Sequence, residues 1–399
     1  MQASELYVLL EALKQHARVA VIYAGDPQDP NSVLYQTHNT RSWKSYRQVA
    51  QDIANALRRL GFKSVYVVPE DVNLHRALLS RDINFAWLNT GGLQGFDPAS
   101  HCAGILQSLG IPYVGHTPLN AASMDDKLAF KRFLKSEGIR TAPFAVWQPT
   151  KHADSAGQVE FAQLLSDIVP WDDVKFVVKP VCGRASQNIY VAEYVTDVIS
   201  LCQTVFAETG NRVLVEQYLP GKEYCIAVMG EWLGAHRPPN KFGVGHRIPT
   251  CFGHFERVLG TGEEIFTSMD IKPISDESIR SLDVEHDWEL VSELHSVARH
   301  IFQKLDLYNL IRVDLRKDAS GRLHVLEANP KPDLKAPEDK VTSLVAMGLD
   351  HLGVPYDVLI EQMLLQTLRY LNSIDLVSGQ LQRITHGRSL NHQARRYLW

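Results

Sequence analysis

Leu310-Ile-Arg-Val-Asp-Leu-Arg316 and Leu323-His-Val-Leu-Glu-Ala-Asn329 decide the reading of this chain. The first is a short apolar run interrupted at every second position by a polar group, and the second carries Glu327 and Asn329 two apart, the pattern of strands with one wet face. Side chains two apart share a face, so Arg312 and Asp314 point one way, and Glu327 and Asn329 do likewise on the next strand. Three oxygen donors and a guanidinium then converge. Magnesium is usually held by one or two carboxylates plus phosphate oxygens rather than by a complete protein cage, and this set falls short of a cage by about that much. Spacing alone also fits a hairpin with a solvated polar face.

A chain of 399 residues that is 45% apolar can bury two or three cores. Its net charge of -4 does not suit a nucleic-acid or anionic-membrane footprint over the whole chain. No apolar run approaches the roughly 20 residues of a spanning helix. The start, Met1-Gln-Ala-Ser-Glu5, lacks the basic and apolar regions of a signal peptide, so a cytoplasmic location is expected. The cysteines Cys102, Cys182, Cys202, Cys225 and Cys251 show no C-x-x-C spacing and read as reduced thiols. His246 and His254 read as loop residues.

Strands at Val19–Tyr23, Val65–Val68 and Ile83–Leu88, with a helix from Ser45 to Leu60 closed by Gly61, make a parallel α/β unit. Asn89-Thr-Gly-Gly-Leu-Gln-Gly95 follows its third strand, where open parallel sheets place ligands, although glycines there also make ordinary turns. Ser123 and Asp126 suggest a capping box opening a helix to Gly138, with Lys127 and Lys131 on one face. Strands at Phe144–Trp147 and Lys175–Lys179 follow, separated by a polar stretch read as a surface loop from Lys151 to Gly157. A helix from Thr196 to Glu208 and strands at Arg212–Glu216 and Tyr224–Met229 come next. Residues 230–283 read as one long loop, then a helix from Glu285 to Leu305 leads to the opening pair, and another covers Asp357–Asn372. The expected domains are 1–119, 120–212 and 213–375, with a basic tail at 376–399 carrying Arg383, Arg388, Arg395 and Arg396.

Val178-Lys-Pro-Val-Cys-Gly-Arg-Ala-Ser-Gln-Asn-Ile-Tyr190 has the outline of a phosphate-covering hairpin: a strand-end lysine, a glycine that permits backbone approach, and successive N–H groups that can make an anion nest. By itself it is equally a β-hairpin with a polar turn. Val213 to Tyr224 joins strand to strand and carries Glu216 and Glu223, acids placed to meet a nucleoside.

The serial order of these elements resembles the ATP-grasp superfamily, and in detail the D-alanine:D-alanine ligase group. The similarity runs over roughly residues 85–365 and includes Gly110-Ile-Pro-Tyr-Val-Gly115 and Ala122-Ser-Met-Asp-Asp-Lys127. It implies an ATP-grasp fold, mixing α/β and α+β: an N-terminal parallel α/β domain, a central ATP-lid subdomain and a C-terminal antiparallel-sheet domain. It implies that Lys127, Lys179, Gly183 and Ser186 contact ATP phosphates, that Glu216 and Leu219 form the adenine linker, and that Glu223 meets the ribose. Asp314, Glu327 and Asn329 match the ligands of two Mg2+ ions, for which Mn2+ can substitute. Arg312, Lys272 and Ser343 match groups that stabilise the reacting carbonyl, reach the γ-phosphate and hold the acceptor carboxylate. The implied reaction is ADP-forming ligation: a carboxylate takes the γ-phosphoryl group of ATP, and an amine displaces phosphate from the acylphosphate. Amino acids and carboxylates are the implied substrates, the bond formed is an amide or an imine-type relative, and the relatives suggest a homodimer.

Departures fall on the amino-acid side. Asn329-Pro-Lys-Pro-Asp-Leu-Lys335 places Asp333 and Lys335 where relatives carry glycine and small hydroxyl residues. Asn89 stands near a histidine position, Ala185 replaces a serine beside Arg184, and the first strand's glutamate is not visible near Tyr23-Ala-Gly-Asp26. The expectation is a ligase of related chemistry whose substrates are not both D-alanine; a dipeptide ligase and an ATP-binding regulatory protein are the alternatives.

Overall fold

In the computed structural model of the chain, the described residues are 3–24, 46–93, 97–169, 174–183, 186–233, 248–265, 278–337, 343–374 and 384. Their strands build three sheets. In the first, β1 (Arg18–Ala24), β2 (Ser64–Glu70), β3 (Phe85–Asn89) and β4 (Tyr113–Val114) run parallel in the order β2-β1-β3-β4. Strands β1 and β3 are buried on both faces, as parallel strands usually are, and the edge strand β2 is mostly half-buried. Val19, Val21 and Tyr23 of β1 meet helices Ala3–His16 and Arg47–Arg59, while Ala20 and Ile22 meet the core under helices Leu74–Ser80 and His101–Ser108. Gly61 ends the second helix with φ +101°, and its N–H donates to the Arg58 carbonyl.

The central sheet is antiparallel, with β5 (Phe144–Trp147), β6 (Phe176–Pro180), β7 (Tyr190–Ala192) and β8 (Val213–Gln217) in the order β5-β8-β6-β7. The alternation of its side chains sets its use. Trp147, Phe176, Val178, Val213 and Val215 pack into a core with the helices Ser155–Ile168 and Val195–Thr209, which leaves Val177, Lys179 and Glu216 on the opposite face.

The third sheet is antiparallel too: β9 (Glu223–Met229), β10 (Thr250–Arg257), β11 (Ile279–Ser281), β12 (Ile311–Lys317) and β13 (Leu323–Asn329), ordered β11-β10-β9-β12-β13. Ile226, Val228, Ile311, Val313, Leu315 and Val325 bury one face in the core that helix Trp288–Lys304 completes. The residues between them, Arg312, Asp314 and Arg316, therefore project from the other.

Several expectations need correction. Strand β8 belongs to the central sheet, so the division we propose between the second and third units falls after Gln217 rather than at 212. The first and last units also share a core: Leu6, Leu10 and Leu13 pack in one cluster with Leu359, Met363 and Leu364 of helix Tyr356–Ser373. Ser123 is not a helix cap. It lies inside helix Pro118–Asp125, and Asp126 caps the next helix, Lys127–Ser136, by accepting the Ala129 N–H at 2.7 Å. The stretch expected as a loop near Lys151–Gly157 is helical, because Asp154 caps helix Ser155–Ile168 through the Gly157 N–H at 2.8 Å. Residues 230–283 hold β10 and β11 rather than one long loop, and His254 lies buried on β10. All five cysteines are buried as thiols, with no disulfide between them. Among the described residues, no helix is long and apolar enough to cross a membrane.

Candidate active site

The faces of the two antiparallel sheets that lie opposite their cores meet across a cleft of about 650 Å3, solvent included. Its walls divide by chemistry. Val177, Leu219, Ile265 and Leu326 give an apolar slot, and Lys179, Glu216, Glu223, Arg257, Asp314, Arg316 and Glu327 give the charged lining. A second recess of about 310 Å3 continues from it past Lys127, Lys179, Gly183, Ser186 and Glu327. Ten of the thirteen expected site residues are thus gathered into one place or its immediate border once Arg312 is added through its contact with Asp314.

The opening pair forms as the alternation requires. Arg312 stands opposite Asn329 and Asp314 opposite Glu327 in the β12–β13 register, with an irregularity just after Asp314. Opposed residues share a face, so two carboxylates and an amide oxygen are presented together. That donor set fits a hard divalent cation. Asp314 accepts two hydrogen bonds from Arg312, Nε at 2.8 Å and a terminal nitrogen at 2.9 Å. Burial opposes the charge on Arg312, but Asp314 more than offsets it and holds its pKa above the ordinary value. Glu327 lies 3.3 Å from the Lys127 ammonium. Burial opposes its ionisation, yet Lys127, Lys179 and Arg312 together hold it well below the usual carboxylate range. Lys127 also donates to the Gly183 carbonyl at 3.0 Å. Burial works against its charge too, and Glu327 and Asp125 outweigh that, raising its pKa.

Glu216 sits between two lysines. One carboxylate oxygen meets Lys131 at 2.6 Å and the other contacts Lys179. Lys131 is wholly buried and also donates to the Thr141 hydroxyl at 2.6 Å, which in turn donates to the Val325 carbonyl at 2.8 Å. Burial and then Lys179 press the Lys131 pKa down while Glu216 supports it; Glu216 itself is lowered, because the two lysines overcome its own burial. At the other end of the cleft, Glu223 bonds Arg257 at 2.9 Å and lies 3.8 Å from Arg316, whose guanidinium stacks over Tyr218.

Three of the expected residues stand apart. Ser343 is buried and caps the short helix Leu344–Met347, accepting the Ala346 N–H at 3.1 Å. Asn329, opposite Arg312 on β13, is not part of the cleft lining and accepts the Lys331 N–H at 3.0 Å. Lys272 lies outside the described residues, as do Arg184, Ala185, Asp26, His246 and the basic tail apart from Ile384. Conversely, Arg257 and Arg316 line the cleft without having been singled out from sequence. Arg316 carried a signal, since it continues the alternation of Arg312 and Asp314. Arg257 had none, because it ends a strand that read as loop.

The family model for the D-ala D-ala ligase C-terminus matches residues 133–365. The chain belongs to that family. The match covers the central and C-terminal sheets that enclose the cleft, and the ATP-grasp ligase class follows with it. A D-alanine–D-alanine ligase of Synechococcus sp. (strain JA-3-3Ab) is 27% identical over 318 residues, 79% of this chain and 86% of the relative. The fold matches the D-alanine–D-alanine ligase of Bacillus anthracis complexed with ATP at a TM-score of 0.59 and 19% identity, covering 89% of this chain and 98% of that one. It also matches the VanG D-Ala:D-Ser ligase of Enterococcus faecalis at a TM-score of 0.60 and 16% identity, over 88% of this chain and 100% of that one. In this member of the D-ala D-ala ligase family, the segment beyond β13 is held by contacts of its own. Asp333 accepts the Lys335 N–H at 3.0 Å, Asp52 of helix Arg47–Arg59 accepts the Ala336 N–H at 3.1 Å, and the Tyr356 hydroxyl donates to the Leu334 carbonyl at 2.7 Å. Residues 333–336 are thereby tied to the N-terminal unit and to helix Tyr356–Ser373.

Proposed function

We propose that this chain is an ATP-dependent, ADP-forming ligase that joins the carboxylate of one small metabolite to the amine of another, at least one of them an amino acid. The observation that carries the reading is the convergence of Lys127, Lys179, Glu216, Glu223, Asp314 and Glu327 on one cleft whose lining joins apolar side chains to charged ones. A nucleoside has that division of character. The apolar slot takes the base, Glu223 accepts from ribose hydroxyls, and Lys127 and Lys179 bind the phosphates. Asp314, Glu327 and Asn329 would hold magnesium, which when bound neutralises phosphate oxygens that would otherwise repel an attacking carboxylate.

Carboxylate oxygen attacks the γ-phosphorus, ADP leaves, and the acylphosphate that results is open to the amine, which expels phosphate. Arg312 is permanently charged and multi-donor, suited to the negative charge that develops on the carbonyl oxygen. Preorganised charges that need not reorient during the reaction stabilise that transition state more than water would. The named relatives join D-alanine to D-alanine or to D-serine. The charged segment from Lys331 to Lys335 supports a different acceptor here, although membership of the family keeps a D-alanine dipeptide as the second reading.

The test is incubation of purified protein with ATP, Mg2+ and mixed amino acids and carboxylic metabolites, measuring phosphate release and searching by mass spectrometry for a new amide. Glu327→Gln is expected to reduce turnover by at least a hundredfold with the fold intact. ATP binding without phosphate release from any mixture would leave a nucleotide-binding regulator instead, and full activity in Glu327→Gln would remove the metal assignment.

A further inference from the structure

Asp314 is held from two sides. Arg312 spans both its oxygens, and Arg257, the last residue of β10, reaches one of the same oxygens at 3.1 Å. Arg257 also reaches Glu223, its cross-strand neighbour on β9, at 2.9 Å, so a single guanidinium bridges the acid assigned to the ribose and the acid assigned to the metal. Its side chain is only 10% exposed. Each Asp314 oxygen therefore already accepts from a guanidinium before any metal arrives.

We propose that Arg257 is a resident counter-cation that competes with the metal for Asp314, so that the metal enters with the nucleotide rather than ahead of it. This rests on the cleft being the ATP site. The competition follows from the contacts. Arg312 is bidentate and on the same strand as Asp314, whereas Arg257 makes one bond to it and has Glu223 as a second partner. Arg257 is the cation that can be released, and it keeps an acid when it goes. Until then, a divalent ion meets a carboxylate already neutralised by two guanidiniums, with Glu327 paired to Lys127 beside it. Little net attraction remains for a bare cation. A nucleotide restores the attraction, since its phosphates add negative charge and draw the arginines and lysines toward themselves. Arg257 is thus a positioning residue, acting on the metal through Asp314.

The probe is Mn2+, titrated by electron paramagnetic resonance with and without ADP, so that turnover is not needed. The wild-type protein is expected to bind Mn2+ at least tenfold more tightly with ADP than without. Arg257→Met is expected to bind Mn2+ without nucleotide at least tenfold more tightly than the wild type, and the advantage should shrink when ADP is present. Arg257→Lys keeps a charge but cannot span both acids, so its affinity should lie between the two; it decides the matter if Arg257→Met does not fold. Unchanged or weaker nucleotide-free Mn2+ binding in the variants overturns the proposal, as does a wild type that binds Mn2+ equally well with and without ADP. If ADP itself does not bind, the assignment of the cleft fails along with it; if ADP binds and only the Mn2+ affinities disagree, this inference alone falls.

Discussion

Lys131→Met tests whether the buried lysine pair around Glu216 is a built feature of the nucleotide cleft. Lys131 has no exposed surface, bonds Glu216 at 2.6 Å and carries the Thr141 hydroxyl that anchors to Val325. Methionine retains much of the apolar stem but leaves half of the Glu216 carboxylate without its ammonium. Removing one partner of a buried ion pair costs roughly 3–5 kcal/mol. Glu216 keeps Lys179, so the low end, about 3 kcal/mol, is the expectation. Urea unfolding followed through tryptophan fluorescence suits the measurement because Trp147 is buried in the central sheet's core.

The same substitution has a second consequence that a purely structural lysine would not have. With Lys131 gone, Lys179 becomes the sole cation on Glu216 and is held away from phosphate. ATP should bind about tenfold more weakly, equivalent to about 1.4 kcal/mol, with the larger change in KM than in kcat. In Glu216→Gln the two lysines are left without their shared acid, and the double variant should show a coupling of at least about 1 kcal/mol. A stability loss under about 1 kcal/mol in Lys131→Met, with ATP affinity unchanged, would refute the reasoning.

Stability should fall on mild acidification. Burial, first, holds His116 and His295 at about 4, and burial with His351 and His295 nearby holds His254 at about 3, against an ordinary 6.5. The unfolded chain takes up these protons first, so their contribution is fully present above pH 6.5 and is lost as pH drops from there toward 4, by up to about 1.4 kcal/mol per pH unit for each imidazole; equal urea midpoints at pH 7 and pH 5 would contradict this. Two glycines should respond in opposite directions to alanine. A Cβ on Gly348 would lie 2.5 Å from the Gly253 Cα, so Gly348→Ala should destabilise by about 1–3 kcal/mol. Gly104, in helix His101–Ser108 with nothing within 4 Å of the added carbon, should gain up to about 1 kcal/mol. Thermal melts of the two variants check the signs.

The metal strands were legible because alternation and polarity coincide in them: one face buries Val313 and Leu315 under a helix, so the other had to present Arg312 and Asp314. Lys127, Lys179 and Glu223 were legible from their order along the chain. Strand β10 was not, since seven of its eight residues are buried, which removes the polar alternation that marks a half-exposed strand. Arg257 was lost with it. The helix Ser155–Ile168 was hidden because its cap, Asp154, sits in a run of small and polar residues that also spells a turn. The first helix was readable from Leu6, Leu10 and Leu13 at helical spacing and was overlooked. Lys131 could be placed on a face beside Lys127, but its partner Glu216 is 85 positions away on another sheet, and no local pattern links them.

Those hidden charges change what the cleft is for. Among the described residues around it, Lys127, Lys131, Lys179, Arg257, Arg312 and Arg316 face Asp125, Glu216, Glu223, Asp314 and Glu327, six cations against five acids. Buried ion networks are weak contributors to stability, because desolvation consumes much of what pairing returns. Each of these cations already contacts a protein carboxylate, so phosphates must compete for them. A fold under selection for stability alone would replace such a set with apolar residues of similar volume. Its persistence fits the proposed nucleotide site, whose phosphates would bring negative charge to these cations. On that proposal Arg257, bridging Glu223 and Asp314, and Lys131, paired to Glu216, set how much negative charge the phosphates must bring.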